Sequence, residues 1–398
     1  MERENNSDFV DGIDKRNKNC IHGLCTLLTC DTLSDSYDPS PSNELEKSPT
    51  IGDFFERSTS APPELGSNDT QGYNNEYDGT YDRDDESDDD GRIDFIVERV
   101  IEKRYKILRT LTPGSEGNVY VCKRVSESSK SLVVVKAGQK GGTKKEADML
   151  RSLDHPSIIR LLDVFCYDCM TCLVLPHYSN DLYTYLDNRD GPLEFSDAML
   201  IEKRLLEALS YLHGQGIMHR DVKSENILLN SPENSCLGDF GAACRLTGGR
   251  GCPEYYGWAG TLEINSPEML ALDPYCESTD IWSAGVVLFE MLAHRVSLFG
   301  LPEHQVVDGA KQLREIIRRL QVHPSEFPKD KSTRLVKFFS GSAEISRLPY
   351  TIPMHIRKFG LHMDAEYVMS KMLTFDALHR PSADELLTFH TFAYMTNL

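Results

Sequence analysis

The sequence lacks long apolar runs and has no excess of positive charge, and each absence argues against a class of protein. No apolar run approaches the roughly 18 residues that a membrane-spanning helix requires, so we expect no membrane insertion. The N-terminus, MERENN, lacks the charged-then-apolar pattern of a signal peptide, which predicts synthesis in the cytosol. Because 62 Asp and Glu outnumber 43 Lys and Arg, we expect no direct nucleic-acid binding through a basic surface.

The cysteine content is low for a protein held together by disulfide bonds. Eleven cysteines in 398 residues are far sparser than in small disulfide scaffolds, so reduced thiols are expected. Cys166, Cys169 and Cys172 have the C-x₂-C-x₂-C spacing of an iron–sulfur ligand run. The surrounding sequence, however, is typical of two apolar strands joined at Tyr167 and Asp168, and no Cys-Pro follows. We therefore predict core and hairpin cysteines.

The acidic residues are concentrated at one end of the chain. Residues 1–95 hold 24 acidic and 8 basic residues, a net charge of −16 out of a total of −19. This segment is rich in Ser and Pro and has no helical or strand period, so it cannot bury enough apolar area to offset chain entropy. We predict a disordered acidic Ser/Pro-rich tail over residues 1–95.

From Tyr105 onward, apolar strands and amphipathic helices continue to the C-terminus. Strand patterns dominate the first part, and helical patterns dominate after the long amphipathic segment that ends at Gly214 and Gly216. A strand-rich half followed by a helix-rich half predicts an α+β fold. We expect one two-lobed domain over 105–393, with an N-lobe over about 105–176 and a C-lobe over about 177–393.

A glycine-containing turn between two strands is the first candidate for binding phosphate. Without side chains, Gly114 and Gly117 allow backbone N–H groups to approach a phosphate closely. An ordinary hairpin is the competing interpretation, since Thr112 occupies the first glycine position of G-x-G-x-x-G and Pro113 stiffens the turn. The candidate ATP-binding residues of this turn are Leu111, Thr112, Pro113, Gly114, Ser115, Glu116, Gly117, Asn118 and Val119.

Two charged residues after this turn fit nucleotide binding. Lys136 ends the strand VVVK and supplies a cation for the α and β phosphates. Glu146 shares a helix face with Met149 and Leu150, where a buried acid requires a cationic partner. A local alternative stays open, because Thr143 and Glu146 also fit a capping box at the start of the helix.

The segment HRDVKSEN, residues 219–226, carries the most specific pattern. Asp221 is placed to accept a hydrogen bond from an acceptor hydroxyl, and Lys223 to neutralise charge on a transferring phosphoryl group. Asn226 and Asp239, the latter in the DFG sequence, supply the oxygen ligands that Mg²⁺ prefers. His219 is expected to be structural, since the reaction needs no second base.

Together these motifs resemble a eukaryotic-type protein kinase over residues 105–393. The resemblance extends to the S-P-E sequence ending at Glu268, to DIWSAG from Asp280, and to Arg380, which in this family pairs with the S-P-E glutamate. It implies ATP and Mg²⁺ as cofactors and a hinge in which the backbone from Pro176 to Tyr178 meets adenine. Pro176 has no N–H to donate, so a later N–H must do so.

The resemblance also predicts the substrate class. Lys223 and Thr261 resemble serine/threonine rather than tyrosine kinases, so the expected acceptor is Ser or Thr. Glu225 and Asp181 fall where basic-directed kinases bind arginines before the target, which predicts protein substrates with arginine-rich sites. A solvated surface role for Asp181 remains an alternative.

More closely, the chain resembles the serine/threonine kinases encoded in the unique short region of alphaherpesvirus genomes. The resemblance rests on the acidic tail, the segments CLVLPHYSNDLYTYL, GDFGAAC and AGTLEINSPE, and the ten residues that separate Lys136 from Glu146. It implies action in the host cytoplasm and nucleus on host and viral proteins, with roles in blocking apoptosis, nuclear egress and the cytoskeleton. A pseudokinase scaffold is the alternative, although every polar catalytic residue is present.

Regulation is left open by the sequence. In the segment from Asp239 to Glu268, Thr247 is a candidate for phosphorylation, and Arg220 could bind its phosphate. The sequence is equally compatible with a segment that is ordered without a phosphate. In the tail, Ser87 precedes three aspartates and fits an acid-directed host kinase. Arg57 begins a short RSTS autophosphorylation candidate, and docking of basic partners or simple solubilisation are the alternatives for the tail.

Overall fold

The computed structural model describes residues 98–99, 101–111, 118–125, 131–139, 141–167, 170–248, 251, 255, 257–294, 296–300, 308–330, 333–339 and 354–393. The predicted tail, with its candidate sites at Ser87 and from Arg57, lies outside the described residues. No helix among the described residues is long and apolar enough to cross a membrane.

The first half of the described chain is an antiparallel sheet that carries one helix. Its elements are β1 (Tyr105–Thr110), β2 (Asn118–Arg124), β3 (Leu132–Gln139), helix α1 (Gly142–Leu150), β4 (Asp163–Tyr167) and β5 (Met170–Pro176). The sheet has the order β1-β2-β3-β5-β4, and every neighbouring pair is antiparallel. The β4–β5 hairpin includes Cys166 and Cys172 as free thiols, and Cys169 lies outside the described residues.

Strand β3 separates the core of the sheet from its functional face. Val133, Val135 and Ala137 alternate along it and are buried in one apolar cluster, as the two-residue period of a strand requires. Lys136 therefore points to the opposite face. Val119 is paired directly with Lys136 across β2 and β3, which places both side chains on this second face.

The packing of the N-lobe also includes residues that precede β1. Residues 98–99 and 101–102 are helical, and Ile101 is fully buried in the same apolar cluster as Tyr105. The guanidinium of Arg104 lies over the Phe165 ring, 5.2 Å from its centroid, and 3.7 Å from the Asp163 carboxylate. These contacts attach the segment before Tyr105 to β4.

The second half is mainly helical, which confirms the predicted two-lobed α+β arrangement. In chain order the elements are β6 (Asn180–Asp181), α2 (Leu182–Asp187), α3 (Phe195–Gly214), β7 (Ile217–Met218), β8 (Ile227–Ser231), β9 (Asn234–Leu237), β10 (Cys244–Arg245), α4 (Pro267–Leu270), α5 (Ser278–Leu292), α6 (Gly309–Leu320), α7 (Arg334–Phe339), α8 (Met354–Arg357), α9 (Met363–Met372), α10 (Ala383–Leu387) and α11 (His390–Ala393). Short strand pairs connect the loops of this lobe: β7 pairs with β10, and β8 lies between β6 and β9.

Helices α3 and α5 form the centre of the C-lobe. Almost every residue of α5 is buried, including the ring of Trp282, which stacks on Phe299 at a centroid distance of 5.6 Å. Because polar side chains on such a helix are costly unless they are bonded, the few that α5 carries at its start and end are informative. Asp280 and Glu290 both reach the candidate site.

Candidate active site

The sheet and the helical lobe bring three charged side chains together. The Nζ atom of Lys136 lies 2.8 Å from Oε2 of Glu146 and 3.0 Å from Oδ1 of Asp239. Glu146 is only 1% exposed, and its Oε1 accepts a hydrogen bond from the Phe240 N–H at 3.4 Å. Helix α1 begins after Gly141 and has no side-chain cap. Of the two interpretations of Glu146, the structure therefore shows the cation partner, which is Lys136. The capping box with Thr143 is not formed.

Asp239 is held in an uncommon backbone conformation. Its φ is +55°, a region that non-glycine residues seldom adopt and that is often found at functional sites. The Gly241 N–H donates to Asp239 Oδ1 at 3.3 Å. Burial acts to raise the pKa of the Asp239 carboxyl, but the charge and hydrogen bond of Lys136 outweigh it and the pKa lies below its usual value. The carboxylate is thus kept ionised.

Asp221 is oriented from both sides of its carboxylate. Oδ1 accepts hydrogen bonds from the backbone N–H and the hydroxyl of Thr261, each at 3.0 Å. Oδ2 accepts from the Asn226 amide at 3.0 Å and lies 2.9 Å from the Lys223 ammonium. The Lys223 ammonium also donates to the Thr261 hydroxyl at 2.9 Å. The fold therefore joins Thr261 to the predicted catalytic residues, although it lies 40 residues after Asp221 in the chain.

Lys223 remains a cation in this arrangement. Burial disfavours its ammonium form, but the charge of Asp221 and the hydrogen bond between them more than compensate, so the pKa of Lys223 lies above its usual value. A positive charge next to Asp221 is what neutralising a transferring phosphoryl group requires.

Gly260 permits the close approach of Thr261 to Asp221. Its φ is +61°, and a Cβ atom added there would lie 2.5 Å from both the Arg220 carbonyl oxygen and Asp221 Oδ1. Only glycine fits both the backbone angle and the space. The dipeptide Gly260-Thr261 is visible in the sequence, but its distance from Asp221 along the chain gave no indication that Thr261 contacts Asp221.

The backbone of the catalytic loop is fixed by helix α5. The Asp280 carboxylate accepts the N–H of His219 at 2.9 Å and the N–H of Arg220 at 2.8 Å, and it lies 2.9 Å from His213 Nε2. These bonds hold Arg220 at a φ of +67°. Burial would raise the pKa of the Asp280 carboxyl, but the hydrogen bond and charge of His213 bring it below the usual value.

His219 has a structural position, in keeping with the prediction. Its Nδ1 accepts from the Asp221 N–H at 3.3 Å, and its Nε2 lies 2.9 Å from the Gly238 carbonyl oxygen. These two partners place the ring proton on Nε2. The ring is fully buried and packs edge-on against Phe240 at 4.9 Å, so both nitrogens of His219 are used in supporting the loop.

Asn226 and Asp239 are the residues that fit a divalent cation. The Asn226 amide nitrogen donates to the carbonyl and carboxylate oxygens of Asp221, which leaves its Oδ1 as the atom suited to a metal. Asp239 contributes an ionised carboxylate whose side chain is 42% exposed. Hard oxygen donors of this kind match Mg²⁺, which proteins commonly hold with one or two carboxylates plus substrate phosphates.

The turn between β1 and β2 is only partly described, whereas the hinge after β5 lies within the described residues. The Leu111 N–H donates to the Val119 carbonyl at 2.8 Å, which closes the base of the glycine turn. The predicted residues of that turn from Thr112 to Gly117 lie outside the described residues. Pro176 ends β5, and Ser179 donates its N–H and hydroxyl to the Asn230 side chain, each at 2.9 Å. The intervening backbone, which includes Tyr178, connects the two lobes.

The structure adds Glu290 to the predicted acidic residues of the substrate side. The Ser224 hydroxyl lies 3.3 Å from Glu225 Oε2 and 3.1 Å from Glu290 Oε2. One hydroxyl therefore contacts two carboxylates, and the two Oε2 atoms can be no farther apart than the sum of these distances. Glu290 follows Asp280 by ten residues on α5, and a charged residue in that apolar segment was the signal that pattern reasoning missed.

Asp181 has a local structural role. It is the N-cap of α2, and its two carboxylate oxygens accept from the Thr184 N–H at 2.7 Å and the Thr184 hydroxyl at 2.8 Å. Such a cap stabilises a helix start by about 0.5–2 kcal/mol. The arginine-binding role of Asp181 stays a prediction, and an arginine would have to share these oxygens with Thr184.

The expected pair of Glu268 and Arg380 is formed. Two guanidinium nitrogens of Arg380 lie 2.9 Å and 3.2 Å from the two carboxylate oxygens of Glu268, and both residues are buried. The guanidinium also lies over the Trp282 ring at 5.2 Å. This bidentate pair connects the segment that carries Thr261 to the last part of the C-lobe.

Comparisons with known proteins agree on one family. Residues 105–392 match the protein kinase domain. The chain is 46% identical to the protein kinase US3 homolog of Gallid herpesvirus 2 over 375 residues, which cover 94% of this chain and 88% of the relative. It is also 46% identical to the serine/threonine-protein kinase US3 homolog of Varicella-zoster virus, covering 72% and 73% of the two chains, and to the serine/threonine-protein kinase US3 of Human herpesvirus 1, covering 72% and 60%.

Proposed function

Since this chain belongs to the protein kinase family, among the serine/threonine kinases of alphaherpesviruses, we propose that it transfers the γ-phosphoryl group of Mg²⁺-bound ATP to Ser or Thr in arginine-rich sites of proteins. The observation that carries the chemistry is the fixed Asp221 carboxylate with Lys223 beside it. The observation that carries the specificity is the proximity of Glu225 and Glu290.

Asp221 receives the acceptor hydroxyl. Its carboxylate is held by Thr261 and Asn226, so it needs no reorientation when the substrate binds, and positioning of this kind supplies much of the catalysis in phosphoryl transfer. As the acceptor oxygen bonds to the γ-phosphorus, the bond from that phosphorus to the β-phosphate oxygen breaks, ADP leaves, and the proton of the acceptor hydroxyl passes to Asp221. Lys223 offsets the negative charge on the phosphoryl oxygens at that moment.

Lys136 orients the nucleotide from the N-lobe. Its ammonium is fixed by Glu146 on α1 and lies on the same sheet face as Val119. The Lys136 ammonium is therefore directed at the α and β phosphates. Apolar side chains on the same face of the sheet cover the adenine. Because Pro176 has no N–H, a later backbone N–H of the hinge between Pro176 and Tyr178 donates to adenine.

Asn226 and Asp239 would hold the metal ion through Asn226 Oδ1 and the Asp239 carboxylate. When bound, Mg²⁺ would neutralise phosphate charge and orient the phosphates for transfer. The chain's own contribution is to keep Asp239 ionised through Lys136 and to fix the Asn226 amide through Asp221.

The chemical role of Asp221 is tested by Asp221→Asn, with Lys136→Met as a second inactive variant. Both proteins should fold with wild-type circular dichroism and lose at least about 100-fold in phosphate transfer, the lower end of what general-base catalysis contributes. A matched control is Asp187→Asn, at the end of α2, which should keep wild-type turnover. Residual activity of Asp221→Asn within tenfold of wild type would remove Asp221 from its role and reopen the pseudokinase alternative.

The arginine preference is tested with peptides that differ only in the residues before the target Ser. Wild type should prefer an Arg-Arg peptide to an Ala-Ala peptide in kcat/KM by at least tenfold, equivalent to about 1.4 kcal/mol. Glu225→Gln combined with Glu290→Gln should lose most of that ratio and keep turnover on the Ala-Ala peptide. The control Glu102→Gln, exposed in the N-lobe, should retain the ratio. An unchanged preference in the double variant would contradict the assignment of this pair.

Family membership supports a location and process for these reactions. The relatives are kinases of alphaherpesviruses, so we place this kinase in the host cytoplasm and nucleus, acting on host and viral proteins that govern apoptosis, nuclear egress and the cytoskeleton. Fractionation and fluorescence microscopy of the full chain in infected cells test the location. Exclusion from either compartment would contradict it, and phosphoproteomics with the Asp221→Asn variant as control would identify the substrates.

A further inference from the structure

The segment from Asp239 to Glu268 has very few residues that a serine/threonine kinase can phosphorylate. Its Ser and Thr residues are Thr247, Thr261 and Ser266. Ser266 is fully buried and shares a hydrogen bond with Thr279 at 2.8 Å, and Thr261 holds Asp221. A phosphate on either would disrupt the site, so a phosphate switch in this segment would have to use the exposed Thr247.

Arg220, the candidate to receive such a phosphate, is already bound by uncharged groups. Its Nε donates to the Ala242 carbonyl at 2.7 Å, and its Nη1 to the Tyr275 hydroxyl at 3.4 Å. The guanidinium also lies over the ring of Tyr255, 5.4 Å from the centroid. A cation over an aromatic face is stabilised by the ring's quadrupole, so Tyr255 and Tyr275 occupy the surroundings of Arg220.

Tyr255 continues this connection toward the N-lobe. Its hydroxyl donates to the Arg245 carbonyl at 2.5 Å, and its backbone forms a two-way bridge with Tyr275 through N–O distances of 3.4 and 3.0 Å. The Arg245 guanidinium donates to the Ser152 hydroxyl at 2.8 Å. Ser152 follows helix α1 by two residues. A chain of direct contacts therefore runs from Arg220 to the helix that carries Glu146.

We propose that Tyr255 and Arg245 are positioning residues that hold this segment and helix α1 in their catalytic arrangement without a phosphate on the segment. The Tyr255 ring contacts Arg220, and its hydroxyl binds the segment backbone. Arg245 connects the segment to α1. Together these contacts would perform the task of a phosphate that bridges basic side chains. The inference rests on the proposed kinase function. The competing arrangement is a phosphate on Thr247 that draws Arg220 away from its present partners.

The first test removes phosphate from the full-length kinase. Protein treated with phosphatase, then freed of it, and the Thr247→Ala variant should each keep kcat on an arginine-rich peptide within threefold of the untreated enzyme. Mass spectrometry should find residues 239–268 unmodified in active protein. A larger fall in kcat in either sample overturns the proposal. Absence of activity in the untreated enzyme would instead count against the proposed function, so the two failures are distinguishable.

The second test perturbs the positioning residues. Tyr255→Leu, which loses both ring and hydroxyl, should lower kcat by about fivefold to seventyfold, the range expected for one hydrogen bond plus one cation–π contact. Tyr255→Phe keeps the ring and should fall between that variant and wild type. Arg245→Ala, at an exposed position, should lower kcat by about twofold to tenfold without affecting folding.

Matched controls separate positioning from general stability. Tyr367→Phe, at an exposed tyrosine on α9, and Arg151→Ala, whose partner Asp148 lies on α1, should keep wild-type kcat. Thermal midpoints of all variants should stay within about 2 °C of wild type. Wild-type kcat in both Tyr255→Leu and Arg245→Ala overturns the proposal. If Tyr255→Leu does not fold, the result for Arg245→Ala decides.

Discussion

Gly260→Ala is the change for which the structure gives the most direct expectation. A Cβ at this position would lie 2.5 Å from Asp221 Oδ1 and 2.9 Å from Asp221 Cβ, whereas real Cβ contacts are essentially never closer than 3.0 Å. Asp221 or the segment carrying Thr261 must therefore move by roughly 0.5–1 Å. Since a 1 Å misplacement can cost about 100-fold in rate, we expect kcat to fall about 10- to 100-fold.

Gly257→Ala is the control that isolates this steric effect. Gly257 also has a positive φ, +86°, but none of the described residues lies within 4 Å of an added Cβ. Both variants carry the backbone cost of a left-handed residue, roughly 1–2 kcal/mol, and only Gly260→Ala displaces Asp221. Steady-state kinetics on one peptide, with thermal unfolding of each protein, tests the difference. A Gly260→Ala enzyme within threefold of wild type, or one matched in kcat by Gly257→Ala, would refute the reasoning.

Three further changes probe stability by thermal or denaturant unfolding. Glu202 is fully buried without a hydrogen-bond partner among the described residues, and its carboxyl pKa lies well above the usual value. Between about pH 4.5 and this raised pKa, the unfolded chain releases a proton that the folded protein keeps, so the free energy of unfolding falls by about 1.4 kcal/mol per pH unit. The advantage of Glu202→Met over wild type in free energy of unfolding should hence be larger at pH 7.5 than at pH 5.5, and a constant advantage would contradict this. Ile101→Ala should cost about 2–4 kcal/mol because its side chain is fully buried, and a loss under 1 kcal/mol would exclude Ile101 from the core. Arg380→Met should cost about 3–5 kcal/mol by leaving buried Glu268 unpaired, and adding Glu268→Leu should recover most of it; equal stability of the single and double variants would contradict a role for the pair.

The sequence predicted the site where the chemistry depends on residues close together in the chain. Asp221, Lys223 and Asn226 occupy a short segment, and in the structure the side chains of Lys223 and Asn226 both contact the Asp221 carboxylate. Across longer separations the prediction rested on family resemblance. Lys136 and Asp239 lie 103 residues apart, and no local rule brings them together, since their contact depends on how a strand of the sheet meets the loop after β9.

Local rules failed where a tertiary contact competed with a local one. Thr143 and Glu146 have the spacing of a capping box, but α1 begins after Gly141, and Glu146 gains more from Lys136 than from a backbone N–H that water can satisfy. At Asp181 a local contact is formed, because its carboxylate closes the first turn of α2, and its arginine-binding role stays a prediction. A charged Glu290 in an apolar helix was a signal in the sequence, but its partner Ser224 lies 66 residues away in the chain, so the pattern could not indicate what Glu290 contacts.

Helix α5 is one buried element that contacts both the loop before Asp221 and the acidic pair proposed to bind substrate. At its start, Asp280 accepts the two N–H groups that hold the backbone before Asp221, and this compensates a left-handed Arg220 that would cost about 1–2 kcal/mol. Near its end, Glu290 meets the Ser224 hydroxyl beside Glu225. Since a helix packed on all sides changes shape little, the distance between the catalytic carboxylate and the acidic pair is set by a rigid element. A fixed distance of this kind would let the enzyme recognise arginines at a defined position before the target residue.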